Sequence, residues 1–122
     1  MLAEPNSAPM DQKQYREIWI DKPDDQSLSA LISGDLGFLI YFRYSGDAGF
    51  SSRNPDYRGD EGATIEYFLS NGQRDEHPAA WALPIFTVHR ALDFFRMQAR
   101  PPNFIKWHND SRDGAEIEFV PG

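Results

Sequence analysis

The chain offers three histidines, His77, His89 and His108, and no cysteine. Disulfides, thiolate zinc sites and the cysteine-ligated zinc deaminase pattern are therefore excluded. No pair of histidines falls at the i, i+4 or His-x-His spacing of a metal ligand set. Adjacent carboxylates occur at Asp24-Asp25, Asp60-Glu61 and Asp75-Glu76. Such pairs perform general acid–base work only when burial separates their pKa values, and their polar surroundings predict solvated loops for all three. His77 follows Asp75 and Glu76 directly, so one enzymatic arrangement can be written: a small hydrolase or transferase using His77 with Asp75 or Glu76. Gly49-Phe50-Ser51-Ser52 lacks the closing glycine of a nucleophile elbow. No glycine-rich phosphate loop is present. Asn109 to Val120 matches a calcium loop at Gly114, but Val120 stands where a bidentate glutamate is needed, so a hairpin turn is expected instead. On these grounds the residues predict no catalytic centre, no metal and no cofactor.

The same acids fit a contact surface better, because loops carry recognition. The candidate binding set is Arg53, Asp56, Tyr57, Asp60, Glu61, Asp75 and Glu76. Tyr57, between Pro55 and Arg58, either anchors an interface or pins its own loop. Nineteen Asp and Glu against twelve Lys and Arg give a net charge of −7. That leaves no basic footprint for a nucleic acid or an anionic membrane. An acidic chain suits a basic protein partner, since opposite fields steer encounter; the plainer alternative is that the charge only maintains solubility. A structural adaptor or small-molecule sensor is a further alternative, and would show a closed apolar cavity instead of an acidic patch.

These residues need a scaffold, and 122 residues supply one domain's worth of chain. With 40% hydrophobic and 14% aromatic residues a packed core is expected. No run reaches the ~18 apolar residues of a membrane span. The opening MLAEPNSAPMDQK lacks a secretory pattern, which predicts a cytoplasmic address, and residues 1 to 13 read as a loose leader before a domain over 14 to 122.

Tyr15–Asp21 alternates as a strand, with Ile18 and Ile20 opposite Tyr15, Glu17, Trp19 and Asp21. Asp24 or Asp25 can cap a short helix through Leu28, Leu31 and Ile32, ended by Gly34. Leu36–Tyr44 is apolar on both faces and predicts a central strand covered on both sides. Ser45–Gly62 reads as loop, with a short strand near Ala48–Ser52. Ala63–Ser70 alternates and meets a hairpin signal at Asn71-Gly72. Gln73–Leu83 looks irregular, anchored by Trp81. Pro84 opens a helix whose stripe is Ile85, Val88, Leu92 and Phe95, closed by Pro101-Pro102. Phe104–His108 and Ala115–Val120 predict two closing strands, and Trp107 is expected to pack against Phe95. The sum is an α+β fold: an antiparallel or mixed sheet of five to seven strands with two helices on one face.

In order along the chain stand Leu36–Tyr44, GDAGFSSRNP at 46–55, SNGQRDEHP at 70–78, the Pro84 helix with Phe94-Phe95, and RPPNFIKWHND at 100–110. This succession resembles immunity-protein family one of bacterial polymorphic toxin and contact-dependent inhibition systems. The resemblance covers residues 28 to 110, and it implies an α+β protein made beside a toxin that it binds and neutralises. Toxins partnered with the family are often deaminases or nucleases, which would give the partner a basic active-site surface. The resemblance assigns no catalytic residues. The chain is expected to act as a monomer or weak homodimer.

Overall fold

The computed structural model describes residues 14–116. The leader at 1–13 and residues 117–120 of the closing strand expected at Ala115–Val120 lie outside the described residues, while Ala115 and Glu116 are irregular. Within them the strands are β1 (Tyr15–Asp21), β2 (Ser27–Ser33), β3 (Leu36–Phe42), β4 (Phe50–Arg53), β5 (Thr64–Phe68), β6 (Arg74–Pro78), β7 (Leu83–Pro84) and β8 (Lys106–Asn109). One α-helix, α1 (Ile85–Gln98), and a 3-10 turn at Ala79–Trp81 complete the set. The main sheet runs β1-β2-β3-β4-β8, with β7 beside the first residues of β3, and β5 pairs β6 in a separate two-stranded sheet. All of these pairings are antiparallel. The fold is α+β, as expected, but with one helix among the described residues and not two.

The missing helix is β2. Leu28, Leu31 and Ile32 have near-helical spacing, yet every residue from Leu28 to Ser33 is buried. A strand enclosed on both faces has no polar side to alternate with, so its period of two is invisible in the sequence. Gly34, at φ +60°, does not cap a helix; it makes the tight turn from β2 into β3.

The sheet is enclosed differently on its two faces. On one, Leu28, Ala30, Leu39, Tyr41 and Phe50 pack against Val88, Ala91, Leu92 and Phe95 of α1. On the other, Leu31 and Phe38 pack with Tyr67 of β5, flanked by Ile65, Leu69 and Trp81. Residues of β3 alternate between these layers, which accounts for its two apolar faces. The β5–β6 hairpin is fastened at its tip, where Glu17 of β1 accepts the Ser70 amide at 2.9 Å. That bond is the leading cause holding the Glu17 carboxyl below its ordinary pKa. Trp107 meets the ring of Tyr41, centroids 6.2 Å apart, and donates its indole N–H to the Pro102 carbonyl at 3.1 Å.

Between β7 and β4 the edge of β3 has a gap in its ladder, and one side chain bridges it. The fully buried Ser52 hydroxyl accepts the Leu39 amide at 3.1 Å and donates to the Trp81 carbonyl at 3.0 Å. Both backbone groups would otherwise be buried without a partner.

Candidate functional site

Arg53 ends β4, and the chain then enters the loop 54–63. Asn54 holds the start of this loop: its amide donates to the Ala80 carbonyl and its side chain to the Ala82 carbonyl, both at 3.0 Å. Its side-chain oxygen accepts the Asp56 amide at 3.0 Å, a local turn built by one asparagine. Tyr57 folds back on its own loop and donates its hydroxyl to the Asp60 carbonyl at 2.8 Å. Gly59 leaves room for that ring, since a Cβ there would collide with Tyr57 Oη and approach Cζ to 2.7 Å. Tyr57 therefore does pin its own loop, a role that leaves the ring half-buried. The far end is tied by Ala63 N–H to Asp60 O at 3.2 Å and Ala79 N–H to Ala63 O at 2.8 Å.

On this held loop Asp56, Asp60 and Glu61 are exposed, and none forms an ion pair among the described residues. Arg53 behaves differently. Its guanidinium lies 3.8 Å from the Trp81 ring centroid and donates to Ser51 Oγ and Ser52 O. Burial there pulls its pKa below the ordinary arginine value. It belongs to the packing of the sheet face more than to the open loop.

Asp75 and Glu76 lie on β6, not in a solvated loop. A strand sends neighbours to opposite faces. Glu76 therefore joins the exterior, where Thr64 donates to it at 3.0 Å and Arg74 bridges it to Glu66. Asp75 turns inward, 3.7 Å from Nε2 of His77. His77 in turn is wedged among Phe38, Tyr67 and Trp81, with ring centroids 4.5, 6.0 and 6.1 Å away. His77 and Asp75 are thus brought together, while Glu76 is on the other side of the hairpin. No three potential metal-ligating side chains gather among the described residues. His108 is exposed at the end of β8 and contacts Asp110 at 2.8 Å.

A carboxylate that the sequence did not single out, Asp47, is firmly held. Asp47 is 7% exposed and receives Arg43 through two hydrogen bonds of 2.8 Å, plus the Arg43 amide at 3.0 Å. The same guanidinium reaches Asp113 at 2.9 Å and lies over the Phe50 ring at 5.0 Å. The Arg43 guanidinium brings the Asp47 carboxyl down to about 2. The signal was present as Arg43 four residues before Asp47, but only the return of the 109–115 turn completes it.

The arrangement is a preformed loop with three exposed carboxylates outside any ion pair among the described residues, beside a hairpin whose outer glutamates, Glu66 and Glu76, are both bridged by Arg74. A family model described as immunity protein Imm1 matches residues 1–109. The chain belongs to that family and is an immunity protein, a class that implies a cognate toxin as partner. No curated protein matches it. None of its described helices is long and apolar enough to cross a membrane.

Proposed function

We propose that the chain neutralises its toxin in the cytoplasm by stoichiometric, non-covalent cover, with no catalysis of its own. Asp56, Asp60 and Glu61 face lysines and arginines of a basic toxin surface, of the kind a nuclease or nucleic-acid deaminase uses to hold its substrate. The observation that carries this reading is the held loop with its three unpaired carboxylates. Because the backbone is already fixed by Asn54 and Tyr57, little ordering cost remains to be met on binding. The net charge of −7 adds long-range attraction for such a partner. Glu76 and Asp75 would join this surface at its edge, Glu76 after exchanging its contacts with Thr64 and Arg74, and Asp75 after exchanging its contact with His77.

The test is a triple reversal, Asp56→Lys with Asp60→Lys and Glu61→Lys, measured against the inactivated toxin domain encoded in the adjacent gene. Association should slow by about tenfold or more at low salt, and the difference should shrink above ~0.15 M as screening removes the steering. Wild-type association and dissociation rates at low salt would overturn the acidic-loop mechanism.

A further inference from the structure

Helix α1 carries large apolar side chains on two opposite sides. Val88, Ala91, Leu92 and Phe95 face the sheet and are buried. On the far side stand Phe86, Arg90, Asp93 and Met97, spaced 4-3-4, which aligns them in one stripe along the helix. Phe86 is 70% and Met97 80% exposed, the two most exposed large apolar side chains among the described residues. A shallow groove of about 350 Å³ runs beside the Met97 end, lined among others by Phe94, Met97 and Phe104. Arg90 is supported at its lip, 4.0 Å from the Phe104 ring centroid. It has no carboxylate partner among the described residues, and Asp93 has only the surface contact with Arg96 at 3.0 Å.

Read in the reverse direction, this stripe complements itself. Turned antiparallel about a point between Ala91 and Leu92, Phe86 comes opposite Met97 and Arg90 opposite Asp93. The apolar ends are about 16 Å apart at 1.5 Å per residue, so both meet their counterparts at once. We infer that this face docks a second copy of the chain through a two-fold antiparallel pairing of α1. Each Phe86 enters the groove beside the other copy's Met97, and the Arg90–Asp93 pair forms twice, as isologous symmetry requires. One helix face with its flanking aromatics falls below the ~1,200 Å² of a stable interface, so the dimer is weak and concentration-dependent.

Sedimentation of the full chain alone, from ~10 μM to ~1 mM, tests this, since a small interface places the dissociation constant within about that range. The wild type should pass from monomer to dimer across that range, and Phe86→Ser should remain monomeric with an unchanged melting temperature. Arg90→Asp and Asp93→Arg should each weaken the dimer by about tenfold or more, because like charges then oppose each other across the two-fold axis. The double swap should recover dimerisation. A chain that stays monomeric throughout overturns the inference, as does a dimer indifferent to Phe86→Ser or one that the double swap does not restore. If the chain is monomeric and Phe86→Ser instead weakens toxin binding, the toxin is the occupant and self-docking is refuted. None of these outcomes depends on the acidic loop, so the two readings fail separately.

Discussion

The turn that carries Asp47 and the loop that carries Asp56, Asp60 and Glu61 are separated only by the four residues of β4. Both come from the same glycine-rich stretch, and nothing in their composition tells them apart. Asp47 is buried against Arg43, which itself rests on Phe50 and reaches across to Asp113. The other three carboxylates have no cation within reach among the described residues, although Arg58 is in their midst. Arg58 gives its hydrogen bonds to the Pro55 and Tyr57 carbonyls. An acid in a flexible-looking segment thus becomes structural when an aromatic platform fixes a guanidinium beside it. It stays available to a partner when backbone and tyrosine hydrogen bonds hold the segment.

That contrast can be broken most forcefully at Asp47. Replacing Asp47 with Ala leaves Arg43 partly buried without its main counter-ion, and should cost about 2 to 4 kcal/mol in chemical denaturation. If stability falls by less than ~1 kcal/mol, the pair is ornamental and the distinction between the two segments fails.

Acid titration sharpens the comparison next. The Asp47 carboxyl lies at about 2 in the folded chain, against an ordinary value near 3.8. A depressed folded value contributes stability above the unfolded value and loses it as pH falls through the folded one. Unfolding free energy should therefore drop by at most about 2 kcal/mol between pH ~4 and ~2 on account of this group. The Asp47→Asn variant should lack that component, and an identical pH slope in variant and wild type would contradict it.

The smallest effect is expected in the held loop. Gly59→Ala displaces the Tyr57 ring and breaks its bond to Asp60, for a cost of about 1 kcal/mol by thermal melting. Its larger signature should be on the toxin, as slower association with a more mobile loop. Equal toxin kinetics in Gly59→Ala and wild type would show that pinning the loop is irrelevant to binding.

Much of this scaffold was legible in the sequence because period and turn chemistry are local. Tyr15–Asp21 matches β1 residue for residue, and the Asn71-Gly72 signal lies in the β5–β6 connection. The Pro84 helix buries the predicted Val88, Leu92 and Phe95. The failures are equally physical. Ser27–Ser33 is a strand because it must pair β1 on one side and β3 on the other, a tertiary demand that overrides its helical spacing. Arg74–Pro78 reads as irregular because its outer face is charged, yet Arg74 and Glu76 find Glu66 and Thr64 across the hairpin. At the candidate site the acids were visible as types. Which of them a neighbour neutralises depends on strand parity for Asp75 and Glu76, and on a contact seventy residues away for Asp47's partner, Arg43.

The pairing of β4 with β8 joins Phe50 to Asn109, positions roughly half the chain apart. What lies between them, from the acidic loop through the hairpin to α1, is in topological terms an insertion within one pair of strands, tied back to the sheet where β7 pairs β3. By contrast β1, β2 and β3 form a meander of neighbours with short turns. Closing a long excursion costs more chain entropy than closing a tight turn, so the meander is expected to assemble before β8 is zipped onto β4. Native-state hydrogen exchange should then find β8 opening before the meander does. Although Arg53, just before the acidic loop, pairs with Lys106 of β8, the loop's own anchors at Ala80, Ala82 and Ala79 lie inside the insertion, so opening of β8 would leave them in place.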